Sequence, residues 1–255
     1  MKAVILAGGF GTRLSEYTET IPKPMVTIGD VPILIHIMSL YSKYNINEFI
    51  IATGYKSKMI DDFFTQNSHK LSNDTDETKV FEFNHSIMKS NNNCKVTTCF
   101  TGQDTMTGGR LLRLKNIIGE ENFLLTYGDG LSNVNIESLI KFHKKEKKIA
   151  TLTAVRPPVR FGELEINGNQ VLKFEEKPKM QKGWINGGFF VLNKKIFDFI
   201  KGDDIMLERE PLENCVVSGE LNAFKHEDFW FCMDTKRDKD NLEKIWASGN
   251  APWID

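Results

Sequence analysis

With 255 residues, 40% hydrophobic and 26% charged, the chain has apolar content for one large buried core or two small ones, which excludes a disordered or collagen-like polymer. Its 33 Lys and Arg against 34 Asp and Glu leave a net charge of −1, so no broad field gathers nucleic acid or an anionic membrane, and any polyanion must be met locally. The four cysteines lack CxxC spacing and the five histidines lack HxxxH or HExxH spacing, which argues against a disulfide scaffold and a zinc site and suits free thiols in a reducing cytoplasm.

The opening "MKAVILAGG" is apolar for too short a run to span a membrane and reads as a first strand. "VPILIHIMSLYSKY" places Ile33, Ile37, Leu40 and Tyr41 at helical spacing, and "EFIIAT" is strand-like again. Strand, helix, strand implies a βαβ crossover and a parallel sheet. Residues 66–79, "QNSHKLSNDTDETK", have almost no apolar content and are expected to form an exposed loop. Candidate strands lie around 80–84 and 95–100, divided by the polar "KSNNN" at 89–93. "GGRLLRLKNII" offers Leu111, Leu112, Leu114 and Ile118 as one helical face, and "NFLLTYGDG" returns to a buried strand that ends in a turn. "NIESLIKFHKKEKK" reads as a helix whose Lys-rich end suits the negative pole of its dipole. Beyond 149 come short strand candidates, "IATLTAV", "GELEI", "QVLKFEE", "WINGGFFVL", "LNAFKH" and "FWFCMD", and then a closing helix in "TKRDKDNLEKIWASG". No repeat, low-complexity tail or linker divides the chain, so one α/β domain with a decorated second half is expected.

"LAGGFGTRL" sets Gly8, Gly9 and Gly11 directly after the first strand, where amides without side chains can cradle a phosphate. It is neither a P-loop, which needs GxxxxGK[ST], nor the dinucleotide fingerprint, since Leu14 stands where the third glycine belongs. A tight turn and a phosphate cradle are both open readings of the glycines alone. Cations favour the second: Arg13 follows at once, and Lys23 stands between Pro22 and Pro24. Asp129 in "YGDG" and Asp234 in "CMDT" each end an apolar strand. Taken singly they are a turn aspartate and a helix N-cap; together they suit one Mg²⁺.

The strings "LAGGFGTRL", "PKPM", "MTGGR", "YGDG", "EKP", "INGGFF" and "MDT" occur in the order and approximate spacing of the sugar-1-phosphate nucleotidyltransferases. The chain resembles that family from Met1 to about Trp253, most weakly over 66–95, and "MTGGR", "TYGDG", "INGGFFVL" and "APW" resemble its cytidylyltransferase branch. The resemblance implies a Rossmann-like three-layer α/β fold with a mostly parallel central sheet and small β additions in the second half. It implies a single domain over 1–255, with a nucleotide-binding half at about 1–130 and a sugar-phosphate-binding half at about 131–255. The implied reaction joins CTP and a sugar 1-phosphate, glucose 1-phosphate first among them, with Mg²⁺ as cofactor, in a homo-oligomer. Another phosphorylated acceptor stays open, and so does a non-catalytic nucleotide-sugar-sensing domain, against which the joint presence of Arg13, Lys23, Asp129, Lys177 and Asp234 argues.

Position by position, the resemblance puts Leu6, Ala7, Gly8, Gly9, Phe10, Gly11, Thr12, Arg13, Lys23, Thr105, Arg110 and Gly128 at the nucleotide. Arg13 would hold the β- and γ-phosphates, Lys23 the α-phosphate and Lys177 the sugar phosphate, these three being the catalytic cations. Gly162, Glu176 and Asn186 would line the sugar, and Asp129 and Asp234 would hold the metal. A plain N-cap at Thr107 for the helix that follows "TM" is the competing role for the stretch from Thr105 to Arg110.

Overall fold

The apolar pattern of the first third builds β1 (Ala3–Ala7), α1 (Ser15–Thr18), the small hairpin of β2 (Thr27–Ile28) and β3 (Val31–Pro32), α2 (Ile33–Ser42) and β4 (Glu48–Thr53). The computed structural model describes residues 1–71, 75, 77–88, 93–157, 162–176 and 183–254, with the backbone alone at Lys70 and Glu163. Next come α3 (Ser57–Asn67), β5 (Ser68–Leu71), β6 (Thr78–Phe83), β7 (Cys94–Phe100), α4 (Thr107–Arg113), α5 (Lys115–Ile118), β8 (Phe123–Tyr127), β9 (Gly130–Ser132), α6 (Ile136–Glu146) and β10 (Ala150–Val155). The remainder adds β11 (Glu163–Asn167), β12 (Gln170–Glu175), β13 (Ile185–Asn186), β14 (Phe190–Leu192), α7 (Glu210–Val217), β15 (Leu221–His226), β16 (Trp230–Cys232) and α8 (Lys236–Ala247).

The centre of the main sheet is parallel, in the order β8-β1-β4-β7. Antiparallel β6 and β5 extend it beyond β7, and on the other side β14 pairs antiparallel with β8, followed by β10 and then β15. β13 and β14 lie end to end against one edge of β10, with Asn186 opposite Ala154 and Leu192 opposite Ala150. The chain breaks its ladder between them, where Gly188 (φ +75°) and Phe189 (φ +48°) take the left-handed region. Side chains of β1 alternate between two cores. Ala3, Ile5 and Ala7 join α2, Leu139 and Leu242, while Val4 and Leu6 join Leu111, Ile118 and Leu212. A sheet covered on both faces is the three-layer arrangement that the resemblance implies.

Two local expectations need correcting. Residues 68–71 form the edge strand β5 instead of a loop, held by pairing with β6 from Ser68 opposite Phe83 to Leu71 opposite Val80. An edge strand owes its order to backbone hydrogen bonds and needs no apolar stripe, so composition hides it. The helix expected over "GGRLLRLKNII" is broken at Leu114 into α4 and α5. The helix expected from Ile33, Ile37, Leu40 and Tyr41 forms as α2, buried at all ten positions. Residues 89–92 of the polar "KSNNN" tract lie outside the described residues.

The end of the chain folds back onto α2: Trp253 Nε1 donates to Nδ1 of the fully buried His36 at 3.1 Å, and Gly29 N donates to Glu243 Oε2 of α8 at 2.9 Å. The β11–β12 hairpin carries Leu164 opposite Phe174 and Ile166 opposite Val171 on one face, each at least half exposed, with Glu165 and Lys173 opposite one another on the other face. Among the described residues no helix is long and apolar enough to cross a membrane.

Candidate active site

Parallel pairing brings the carboxyl ends of β1, β4, β7 and β8 to one edge of the sheet. After β1 the chain crosses to β4 on one side, while β8 arrives on the other, so the crevice beyond β1 and β8 is the topological switch point where ligands bind in such sheets. The glycine-rich loop springs from β1 at that point. Its Gly11 has φ +66°, and a Cβ there would lie 2.8 Å from Thr18 Cγ2, so only glycine fits the turn into the short 3-10 helix Thr12–Leu14. The Gly11 carbonyl accepts from Leu14 N and Thr18 Oγ1, which closes the loop against α1. Gly9, Phe10 and Thr12 stay exposed at the mouth of a cleft of about 610 Å³, and Leu6 through Arg13 all line it.

Across the cleft the two acidic residues converge. Gly128 continues β8, its amide bonded to Leu6 O, and turns Asp129 toward the opening. Cys232 of β16 pairs with Gly130 of β9, and Met233 N donates to Asp129 O, which brings Asp234 alongside. Thr235, not Asp234, caps α8: its hydroxyl accepts from Asp238 N, while its own amide donates to Asp238 Oδ2. The Asp234 carboxylate is thereby free to face Lys23. Lys23 Nζ donates to Asp129 Oδ2 at 2.6 Å and to Asp234 Oδ1 at 2.8 Å, and Arg13 Nη1 reaches Asp234 Oδ2 at 2.8 Å.

Burial of Lys23 works against its charge, but Asp129 and Asp234 outweigh it and hold the ammonium above its ordinary range. Burial likewise pushes the Asp234 carboxyl up, and the hydrogen bond and charge of Lys23 with the charge of Arg13 more than reverse this, leaving it lowered. Donor atoms of Asp129, Asp234 and Cys232 lie within 4.8 Å of one another. Burial, then the charge of Asp129, drives the Cys232 thiol far up, so it stays protonated at neutral pH. The hard donors of this group are the two carboxylates.

Thr105 and Arg110 line the cleft on the α4 side. Arg110 is buried and fully engaged: it donates to the carbonyls of Gly8, Thr53, Gly102 and Gln103 and to Thr101 Oγ1. Here the structure shows a clamp that ties the glycine-rich loop to the ends of β4 and β7. Thr107 does not cap α4 with its side chain; its hydroxyl accepts from Leu207 N and donates to Glu208 Oε2 at 2.6 Å. Asn186 lines the cleft and donates to Tyr127 Oη at 3.2 Å. Gly162 and Glu176 adjoin each other at the foot of the β11–β12 hairpin, where a Cβ on Gly162 would lie 3.0 Å from Glu176 Oε2, and neither lines the cleft. Lys177 lies outside the described residues.

Sequence reasoning missed Glu208, Tyr127 and Trp230, which also form the wall. Tyr127 stands inside "TYGDG", and Trp230 within "FWFCMD". Trp230 Nε1 donates to Gly187 O at 2.8 Å, in the break between β13 and β14. Glu208 follows an irregular stretch with no pattern of its own. What brings it to the site is "MTGG": a Cβ on Gly109 would lie 2.4 Å from Asp203 O, so the pair of glycines lets residues 203–207 pack directly on α4. Arg113 pins the same segment through Asp203 Oδ2 at 2.5 Å.

A family model described as nucleotidyl transferase matches residues 2–218. The chain belongs to the nucleotidyl transferase family. It is 49% identical to glucose-1-phosphate cytidylyltransferase of Salmonella typhimurium, over 99% of this chain and 98% of that one. A protein of Bacillus subtilis named as a probable glucose-1-phosphate cytidylyltransferase is 42% identical over 99% of each chain. Among solved structures, HddC from Yersinia pseudotuberculosis has a TM-score of 0.71 over 96% of this chain and 99% of its own, at 24% identity, which is a likeness of fold. The chain is a nucleotidyltransferase, and its sequence is of the glucose-1-phosphate cytidylyltransferase type.

Proposed function

We propose that the chain transfers the cytidylyl group of CTP to a sugar 1-phosphate, with glucose 1-phosphate as acceptor, giving a CDP-sugar and pyrophosphate. The observation that carries this reading is the convergence of Lys23, Arg13, Asp129 and Asp234 opposite the glycine-rich loop at the switch point of the sheet. CTP and glucose come from the names of the relatives.

The acceptor phosphate is already anionic near neutral pH, its second ionisation lying at about pH 6, so no protein base is needed. One of its oxygens forms a bond to the α-phosphorus as the α–β bridging bond breaks, and the electron pair leaves with pyrophosphate. The protein's task is to bring two polyanions together in line and to balance the charge that builds on the leaving group. Lys23 and Arg13, parked on the two carboxylates in the free protein, are the cations at hand for the phosphates. Lys177, in the "EKP" string, is assigned to the phosphate of the acceptor and Asn186, in the cleft wall, to its sugar, while Gly162 and Glu176, outside that wall, keep a sugar role on the resemblance alone.

A divalent cation fits between Asp129 and Asp234, since the Lys23 ammonium already bridges them and their oxygens are hard donors suited to Mg²⁺. Mg²⁺ held there by Asp129 and Asp234 would neutralise triphosphate oxygens. Reducing surroundings suit the protein, whose four cysteines are all free thiols, and we assign it to the cytoplasm. The apolar face of the β11–β12 hairpin supports self-association into a homo-oligomer, which light scattering would show as a mass above one chain.

The deciding experiment mixes each of four nucleoside triphosphates with a panel of phosphorylated acceptors and reads pyrophosphate. CTP with glucose 1-phosphate should give the fastest release, and Lys23→Ala and Asp129→Asn should slow it by about 10²–10⁴-fold with the circular dichroism unchanged. A pyrophosphate signal that ignores CTP, or that survives both substitutions, contradicts the reading.

A further inference from the structure

Glu208 is a carboxylate in the wall of a cleft built for anions, and among the described residues it is in no ion pair. Its two oxygens each accept from a neutral hydroxyl: Oε1 from Tyr127 Oη at 2.7 Å and Oε2 from Thr107 Oγ1 at 2.6 Å. Tyr127 is fixed in turn by Asn186, and Thr107 by the Leu207 amide. The hydrogen-bonding capacity of the group is only half used, since an ionised carboxylate offers about four lone-pair positions. A phosphate is the wrong partner for what remains, because both are negative. A donor without charge is the right one: in a sugar phosphate that donor is a hydroxyl, and in CTP it is a ribose hydroxyl or the cytosine amino group. Of the two, the acceptor is the nearer in chemistry: Glu208 joins Asn186 through Tyr127, on the wall assigned to the sugar.

Resting on that reading, we infer that Glu208 is a specificity-determining residue that accepts a hydrogen bond from a hydroxyl of the acceptor sugar, with Tyr127 and Thr107 holding its carboxylate in place. It discriminates by leaving a half-buried carboxylate partly unpaired when that hydroxyl is missing.

The test compares glucose 1-phosphate with its 2-, 3-, 4- and 6-deoxy analogues in the wild-type protein, Glu208→Gln and Glu208→Ala. In the wild type, one deoxy analogue should lose about 10–100-fold in kcat/KM. Both variants should lose a similar factor on glucose 1-phosphate, lose nothing further on that one analogue, and keep KM for CTP within about twofold. Equal losses on every analogue, or a matching rise in KM for CTP, would show that Glu208 only braces Tyr127 and Thr107, and would overturn the inference. Glu208→Gln keeps the shape and one acceptor, so it tests the charge if Glu208→Ala melts early. Calorimetric titration with glucose 1-phosphate separates failure of the hydroxyl contact from failure of the transfer reading. If no pyrophosphate forms with any pair of substrates, the transfer reading fails, whereas weaker sugar-phosphate binding in the variants still supports the hydroxyl contact and unchanged binding overturns it.

Discussion

Arg110 shows how a single side chain can be read two ways. The resemblance puts it at the nucleotide, and it does line the cleft, yet five acceptors from three segments already occupy its guanidinium. Burial, then the neighbouring charge of Arg113, disfavours its ionised form, and no carboxylate within bonding distance compensates among the described residues. Removing it would strand several buried carbonyls at about 1–3 kcal/mol each. Arg110→Met should therefore lower the melting temperature by about 10 °C or more, at roughly 2–4 °C per kcal/mol for a chain of this size. Arg110→Lys should recover little of that, since an ammonium has three donors and no planar fork. A lysine variant of full thermal stability with a raised KM for CTP would instead restore a purely nucleotide-binding role. Lys23 and Asp129 were legible in the sequence because prolines and glycines frame them. Glu208 was not, because its placement depends on a close approach between α4 and residues 203–207 that no local pattern records.

At the level of elements, α8 does two jobs at its first turn. The capping box of Thr235 and Asp238 ends the orphaned amides of the helix, and Asp234 N also donates to Asp238 Oδ2 at 3.2 Å. Helix start and the cleft carboxylate of Asp234 thus share one hydrogen-bond centre. Thr235→Ala should cost about 1 kcal/mol, seen as a fall of roughly 2–4 °C in melting temperature. It should also reduce turnover by more than that small loss of stability explains, measured as kcat at a temperature where the variant is fully folded. Turnover equal to the wild type would mean that the cap and the carboxylate are independent. The helices α2, α6 and α8 and the parallel strands could be read from periodicity because each buries one face or more, whereas α3 and α7 went unread. β5 could not, since pairing with β6 on a solvated edge leaves no apolar signature. The break at Leu114 was equally silent, for the same apolar residues serve α4 and α5.

For the whole molecule, His36 links the beginning of the chain to its end. It is fully buried, its Nδ1 accepts from Trp253, its Nε2 donates to Ile28 O at 3.0 Å, and burial drives its pKa down to about 4. The unfolded chain takes up a proton near pH 6.5 that the folded chain refuses until about pH 4. Stability from this group is therefore complete above pH 6.5 and is lost as the pH falls, by about 3 kcal/mol at pH 4. Urea midpoints between pH 7 and pH 4 should drop accordingly, and His36→Gln should flatten the profile while lowering its plateau. Retention of the full slope in that variant would assign the acid sensitivity to other groups. A parallel α/β sheet was legible from the βαβ rhythm, and its three layers from the resemblance, but this long-range lock was not, because Trp253 and His36 are 217 positions apart.

The pairing of Lys23 and Arg13 with Asp129 and Asp234 has one more effect. Two positive and two negative groups cancel at the doorstep of the proposed site, so on this proposal an incoming triphosphate meets little pull from a distance and must displace existing bonds to settle. Docking here is an exchange of partners, and its speed should be governed by how fast those inner contacts let go rather than by the ionic strength of the surroundings.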